Sequence, residues 1–172
     1  MEFVELDINM TQEDMESVVN SSSHYMKIAN MNYDFRGKDN FDILDKYIHT
    51  ENLHEDVAMG TLTTPAGRDS KAHQDIYRIR DENGNKIDRY RHAAINIPYS
   101  VSDKSYVAYI DKETKENLNS YYFGKPILMK TDEWHKAYNK ESDIDRVIIS
   151  VSFFTMTFDE LKSLHERGML VR

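Results

Sequence analysis

A mainly β domain, a sandwich or barrel with helices at its two ends, is the fold class that this sequence predicts. Three observations carry the prediction. From about His54 to Thr155 the chain breaks into short β-branched and aromatic runs separated by Gly, Asn and Pro turns, the texture of antiparallel sheets packed face to face. Helical spacing with N-capping signals is confined to the two ends. The 172 residues are enough for one domain with a buried core, and no repeat or linker divides them. We expect one domain, 1–172, with a helical support region over 1–54, a β core over 55–156 and a C-terminal helix over 157–172.

Taken in order, Glu2 to Ile8 alternates loosely and suits a short strand. Thr11-Gln12-Glu13-Asp14 resembles a capping box with Thr11 at the N-cap, opening a helix that stops near Ser21-Ser22-Ser23. Phe41, Ile43, Leu44 and Tyr47 have helical spacing, and the polar, aromatic stretch Asn30 to Asp39 before them reads as loop. Val57 to Thr63 is a strand bounded by Thr64-Pro65-Ala66-Gly67. Ala72 to Arg80 alternates, so His73 and Asp75 share a face. Asn83-Gly84 then marks a hairpin turn, and a strand returns from Ile87 toward Pro98. Ser105 to Ile110 and Tyr121 to Met129 read as an antiparallel pair joined by a charged turn. Arg146-Val147-Ile148-Ile149-Ser150-Val151-Ser152-Phe153-Phe154 is the most β-prone run in the chain. Thr157-Phe158-Asp159-Glu160 is a second capping box, opening the last helix.

Composition excludes several classes of function. There are 0 cysteines, which removes disulfides, thiolate zinc sites and cysteine nucleophiles together. This fits a reducing compartment, and we expect a cytoplasmic protein. The longest apolar runs are too short to cross a bilayer, and the acidic start lacks the features of a signal peptide. The net charge of −8 disfavours nucleic acid and anionic membranes as partners.

The remaining chemistry gathers around His73, Asp75 and His135. Two histidines and one carboxylate on one side of a metal leave positions open, the arrangement that suits non-haem Fe(II) binding a cosubstrate and O2. On a strand, residues i and i+2 point the same way, so His73 and Asp75 can reach one ion. His135 would come from elsewhere in the fold. Arg146 opens the last strand and shares a face with Ile148 and Ser150, where a guanidinium beside an apolar wall suits a carboxylate. Asn96 shares a face with small Ala94, which leaves space for a ligand and offers it an amide. No catalytic side chain beyond the metal ligands is identified. Each piece also has a plainer reading. A His-x-Asp triplet alone is a weak signal; His135 suits a packing histidine, and Arg146 a strand-edge arginine. His54 with Glu55 and Asp56, and His92, compete as ligands. Arg78, Arg80, Arg89 and Arg91 flank the hairpin and read best as its solvated face.

The order of these parts resembles the Fe(II)- and 2-oxoglutarate-dependent oxygenases, in the branch of the prolyl and aspartyl hydroxylases. The resemblance runs from about Val57 to Phe154. It is carried by His73-Gln74-Asp75, by Ala94-Ile95-Asn96-Ile97-Pro98 and by Gly124-Lys125-Pro126-Ile127-Leu128-Met129. Its most specific part is His135, Asn139 four on, a polar loop, and Arg146 leading a β-run. The sequence departs from the family in lacking a Gly-Gly-x-Thr stretch after the first motif and in having Ile148, not serine, two after Arg146. The resemblance implies a double-stranded β-helix, or jelly roll, with His73, Asp75 and His135 as iron ligands. Arg146, Asn96 and Ser150 would hold 2-oxoglutarate, and O2 would be the second cosubstrate. The implied activity is a hydroxylase acting on a small molecule or a protein side chain. A cupin-like metalloenzyme that does not use 2-oxoglutarate, and a non-catalytic jelly-roll binding module, are the alternatives.

Overall fold

The computed structural model describes residues 2–21, 25–28, 31–36, 41–54, 57–80 and 83–172. Among these residues there are twelve strands, all paired antiparallel. The chain opens with β1 (Phe3–Glu5) and α1 (Gln12–Asn20). β2 (Tyr25–Ile28), β3 (Met31–Arg36) and α2 (Phe41–Leu44) follow. β4 (Ala58–Thr64), β5 (Ile76–Arg80), β6 (Lys86–Tyr90) and β7 (Ala93–Ser100) lead into β8 (Tyr106–Ile110), β9 (Asn117–Tyr122) and β10 (Ile127–Lys130). The last elements are β11 (His135–Tyr138), β12 (Arg146–Phe153) and α3 (Phe158–Glu166). A seven-stranded sheet has the order β1-β10-β7-β12-β4-β3-β2, a three-stranded sheet the order β11-β8-β9, and β5 and β6 form a separate ribbon. This is the expected jelly-roll class, mainly β with helices at both ends. Among the described residues no helix is long and apolar enough to cross a membrane.

The large sheet is sorted by the two-residue period of its strands. On β12, Val147, Ile149, Val151 and Phe153 alternate with Arg146, Ile148, Ser150 and Ser152. Ile149, Val151 and Phe153 join Ala93, Ile95 and Ile97 of β7, Leu128 of β10 and Met59 of β4 in one buried cluster. The helices cover that face: Val18 of α1, Leu44 of α2, and Phe158, Leu161 and Leu164 of α3 belong to the same cluster. Each large apolar side chain buried this way contributes about 1.5–3 kcal/mol relative to exposure. The opposite face looks toward the small sheet. There Ile127 and Met129 pack with Val107 and Tyr109 of β8, and Leu62 of β4 packs with Ile148. The polar residues Arg146, Ser150, Ser152 and Asn96 lie on this inner face.

Both helix starts follow their sequence signals. The Thr11 hydroxyl accepts the Asp14 amide at 3.2 Å, and Thr157 with Glu160 forms a complete capping box. Gly84, at φ +81°, sits in the turn of the ribbon. Four expectations are corrected. Residues 25–28 and 31–36 are strands of the large sheet, so the N-terminal region is not purely helical. Met-Asn-Tyr-Asp-Phe-Arg has the period of two that a strand needs, hidden by its polar alternate positions. Tyr121 to Met129 is two strands, split at Gly124-Lys125-Pro126 because proline cannot extend a ladder; β8 pairs with β9, while β10 crosses to the other sheet. The stretch from Ile87 toward Pro98 is likewise two strands, β6 and β7, in different sheets. The regular strand expected from Ala72 begins only at Ile76. Before it, the chain makes one isolated bridge, His73 to His135.

Candidate metal and anion site

That bridge brings two of the sequence-selected residues together. The His73 amide donates to the His135 carbonyl and the His135 amide to the His73 carbonyl, both at 2.9 Å. Two residues on, the Asp75 amide donates to the Thr131 carbonyl at 2.8 Å. The side chains follow, and one ligand atom from each of His73, Asp75 and His135 lies within 4.8 Å of the others. Asp75 Oδ1 is 3.3 Å from His73 Nε2 and 3.8 Å from His135 Nε2.

The ring orientations are fixed from behind. His73 Nδ1 donates to the Lys71 carbonyl at 2.7 Å and His135 Nδ1 to the Glu133 carbonyl at 2.8 Å. A carbonyl only accepts, so Nδ1 carries the proton in both rings and each Nε2 presents a lone pair inward. His73 Nε2 is buried without a hydrogen-bond partner. While both imidazoles are neutral, three acceptor atoms thus face one another, which is a cradle for a cation. The residues present fit a divalent metal.

The charges agree. Burial opposes the ionised form of Asp75, yet Arg91 and the two histidines outweigh it and hold its carboxyl well below the usual carboxylate range. Burial pushes His135 down to about 4, with Asp75 offsetting part of the effect. Burial also acts against a proton on His73, but Asp75 outweighs it and raises the group above its ordinary value. A proton on His73 is the substitute for a metal between these acceptors.

Arg91 corrects the sequence reading. It is buried at 3% exposure, not part of a solvated hairpin face. Its Nη2 lies 2.8 Å from Asp75 Oδ2, and its Nη1 donates to Ser152 Oγ at 3.0 Å and Ser150 Oγ at 3.5 Å. The ribbon places it: β5 and β6 pair through Ile76 and Tyr90, so the next residues outward are Asp75 and Arg91, and the Arg91 amide donates to the Asp75 carbonyl at 2.9 Å.

Farther along the inner face stands Arg146, 2% exposed. Its guanidinium lies over the Phe123 ring, 4.8 Å from the centroid. Its Nε has no hydrogen-bond partner among the described residues, and burial pushes it down to about 10. No carboxylate of the described residues pairs with it. Directly across the ladder is Thr64 of β4, whose hydroxyl is also buried without a partner. The sequence reading missed Thr64, because only the β4 to β12 register puts it beside Arg146. Asn96 and Ser150 are buried on the same face but are already joined: Ser150 donates to Asn96 Oδ1 at 2.6 Å, and Asn96 Nδ2 reaches Met129 Sδ at 3.2 Å.

Asn139 has a structural role at this end. It is fully buried, and its Nδ2 donates to the carbonyls of Thr64, Pro65 and Ile144, each at 3.0 Å. Its Oδ1 accepts the Ser105 hydroxyl. It therefore ties the end of β4 to the loop that delivers Arg146. The competing histidines lie elsewhere. His92 pairs with Asp132 at 2.9 Å, and His54 lines a surface cleft beside α3. Glu55 and Asp56 fall outside the described residues.

No protein-family model matches the chain, and no curated protein matches it. Solved structures do. The chain is similar to a Pseudomonas putida prolyl-4-hydroxylase, with TM-score 0.51 and 13% identity over 84% of this chain and 81% of that one. It is similar also to the collagen prolyl hydroxylase of Paramecium bursaria Chlorella virus-1, solved as a 2OG complex, with TM-score 0.55 and 13% identity over 88% and 95% of the two chains. At such identity the likeness is one of fold, and this chain has the jelly-roll fold seen in the 2-oxoglutarate oxygenases.

Proposed function

We propose that the protein is an Fe(II)- and 2-oxoglutarate-dependent oxygenase, a hydroxylase acting on a small molecule or a protein side chain. The observation that carries the reading is Arg146: a buried guanidinium with no anion among the described residues, beside an equally unpartnered Thr64 hydroxyl. A buried charge without a partner is costly, and a carboxylate entering there meets a cation and a hydroxyl donor together. The slot lies on the same inner face as Ser150 and Ser152, which Arg91 links to Asp75. Arg146 and Ser150 are four residues apart, about 13 Å along a strand. That span suits an arginine side chain followed by a short dicarboxylate.

In this reading His73, Asp75 and His135 hold the metal, with the Lys71 and Glu133 carbonyls keeping both imidazoles in the ligating tautomer. Arg146 and Thr64 hold the far carboxylate of 2-oxoglutarate. Leu62, Ile148 and Phe123 form an apolar cluster beside Arg146, and such surroundings would strengthen its contact with a carboxylate. Bound at the centre, Fe(II) supplies the oxygen-activating chemistry that couples decarboxylation of 2-oxoglutarate to succinate and CO2 with oxidation of a substrate C–H bond.

The test is anaerobic reconstitution with Fe(II) and 2-oxoglutarate, following the metal-to-ligand charge-transfer band in the visible, which needs no substrate. The band is expected in the wild type and absent from His73→Ala, Asp75→Ala and His135→Ala. Metal binding without the band would instead indicate a cupin-like enzyme that makes no use of 2-oxoglutarate. No metal binding would indicate a binding module.

A further inference from the structure

The two oxygens of Asp75 face different partners. Oδ1 faces both imidazoles, while Oδ2 is turned to Arg91 at 2.8 Å. We propose that Arg91 is a positioning residue that restrains Asp75 to one ligating oxygen, so that three coordination positions stay open on the bound metal. The inference rests on the metal-site part of the reading above and not on its 2-oxoglutarate part.

A carboxylate free to turn can bind a divalent ion through both oxygens. Doing so at this centre raises the protein's ligand atoms from three to four. A centre with two histidines and one carboxylate needs its remaining positions for a chelating cosubstrate and a further small ligand. One oxygen too many therefore blocks function without weakening metal binding.

Arg91 is built not to yield. It is buried, and its amide donates to the Asp75 carbonyl. Its Nε reaches Thr131 Oγ1 at 3.4 Å, and the Thr131 hydroxyl donates back to the Arg91 carbonyl at 2.6 Å. The Thr131 carbonyl accepts the Asp75 amide at 2.8 Å. Ser152 holds the far side of the fork at 3.0 Å. Backbone and side chain of the pair are thus strapped together, and turning Oδ2 toward the metal takes the carboxylate away from a buried guanidinium. The planar fork suits this task, whereas an ammonium offers no fixed second direction.

A purely supportive role and a restraining role predict different results. Mn(II) is the probe, bound to the full chain, and water-proton relaxation reports the number of waters on the bound ion. Arg91→Met is expected to keep Mn(II) affinity within about tenfold while relaxation per bound ion falls to about two thirds of the wild-type value, as one of three open positions is taken by Oδ2. Arg91→Lys and Ser152→Ala are expected to fall between these values with wild-type melting, which keeps the test open if Arg91→Met does not fold. Unchanged relaxation in all the folded variants overturns the proposal. So does loss of Mn(II) binding from variants that melt like the wild type. Wild-type protein that binds no Mn(II) removes the metal reading and the proposal together. Wild-type protein that binds Mn(II) but not 2-oxoglutarate ends the oxygenase reading alone, and the relaxation comparison still decides the role of Arg91.

Discussion

Arg146→Met is expected to make the ligand-free protein more stable and nearly blind to 2-oxoglutarate. Both effects come from the same burial. The guanidinium is 2% exposed, its Nε has no hydrogen-bond partner among the described residues, and burial pushes it down to about 10. At 1.36 kcal/mol per pKa unit, the shift from its ordinary value corresponds to about 3 kcal/mol opposing the charged form in the folded, ligand-free state. Methionine keeps much of the volume and removes that opposition. It also loses the contact with the Phe123 ring, worth about 2 kcal/mol when desolvated. The net expectation is a gain of about 1 kcal/mol, readable as a higher urea midpoint at unchanged slope. A dicarboxylate that pairs with Arg146 recovers the same 3 kcal/mol in the wild type only, so its affinity should fall about a hundredfold in the variant. The assay is 2-oxoglutarate titration of the metal-loaded protein beside urea denaturation of the metal-free protein. Equal affinities would refute the reasoning outright. A variant less stable than wild type by several kcal/mol would show that Arg146 is held by internal contacts and is not waiting for an anion.

Thr64→Val removes a hydroxyl that has no partner, so the fold should lose little while 2-oxoglutarate binds less tightly by about 1 kcal/mol, the worth of one hydrogen bond; calorimetric titration measures it. Asn139→Ala takes the partner of the Ser105 hydroxyl and a donor from three carbonyls, of which Pro65 and Ile144 keep the Arg68 amide and the Ser142 hydroxyl. It should cost about 2 kcal/mol or more in urea unfolding, given roughly 1–3 kcal/mol per stranded buried group. Asn139→Asp should be no better, since a carboxylate cannot donate. The metal-free protein should lose stability as pH falls from 6.5 toward 4, because His135 is held at about 4 in the fold and the unfolded chain takes up a proton first. The loss attributable to His135 approaches about 3 kcal/mol near pH 4. His73, raised in the fold, acts with the opposite sign: its protonation favours the folded state at low pH, and that contribution fades as pH rises through its folded value. The readable quantity is therefore the difference in pH slope between wild type and His135→Gln, which should carry only the first effect.

Much of this arrangement was legible in the chain itself. The His73 and Asp75 pair needed only the rule that alternate residues share a face, and that rule survives even though the regular strand starts at Ile76. Arg146, Ile148 and Ser150 share a face for the same reason. Helix starts at Thr11 and Thr157 were legible because capping is a local exchange of hydrogen bonds. What failed was pairing. Tyr121 to Met129 looks like one strand until Pro126 is given its full weight, and nothing local says that β10 joins β7 and β1 rather than β8. Residues 31–36 alternate correctly, but Asn32, Asp34 and Arg36 made them look like loop.

Arg91 and Thr64 show where sequence reading stops at a site. Neither lies in a motif, and each is recruited by register. Arg91 was reachable in principle: an Asn83-Gly84 turn implies a ribbon, and extending its pairing past Ile76 and Tyr90 puts Asp75 opposite Arg91. An arginine opposite a buried carboxylate, at the base of a ribbon rather than on its tip, has no solvent to face and must pair inward. Thr64 carries no such signal. Its place depends on a pairing across more than eighty residues, Thr64 to Arg146, and that register is held by Asn139, which reaches both the Thr64 carbonyl and the Ile144 carbonyl. The asparagine four residues after His135 thus bears on the placing of Arg146. It ties down the loop behind Arg146, so that the Arg146 Nε and the Thr64 hydroxyl, each without a hydrogen-bond partner among the described residues, fall on paired positions.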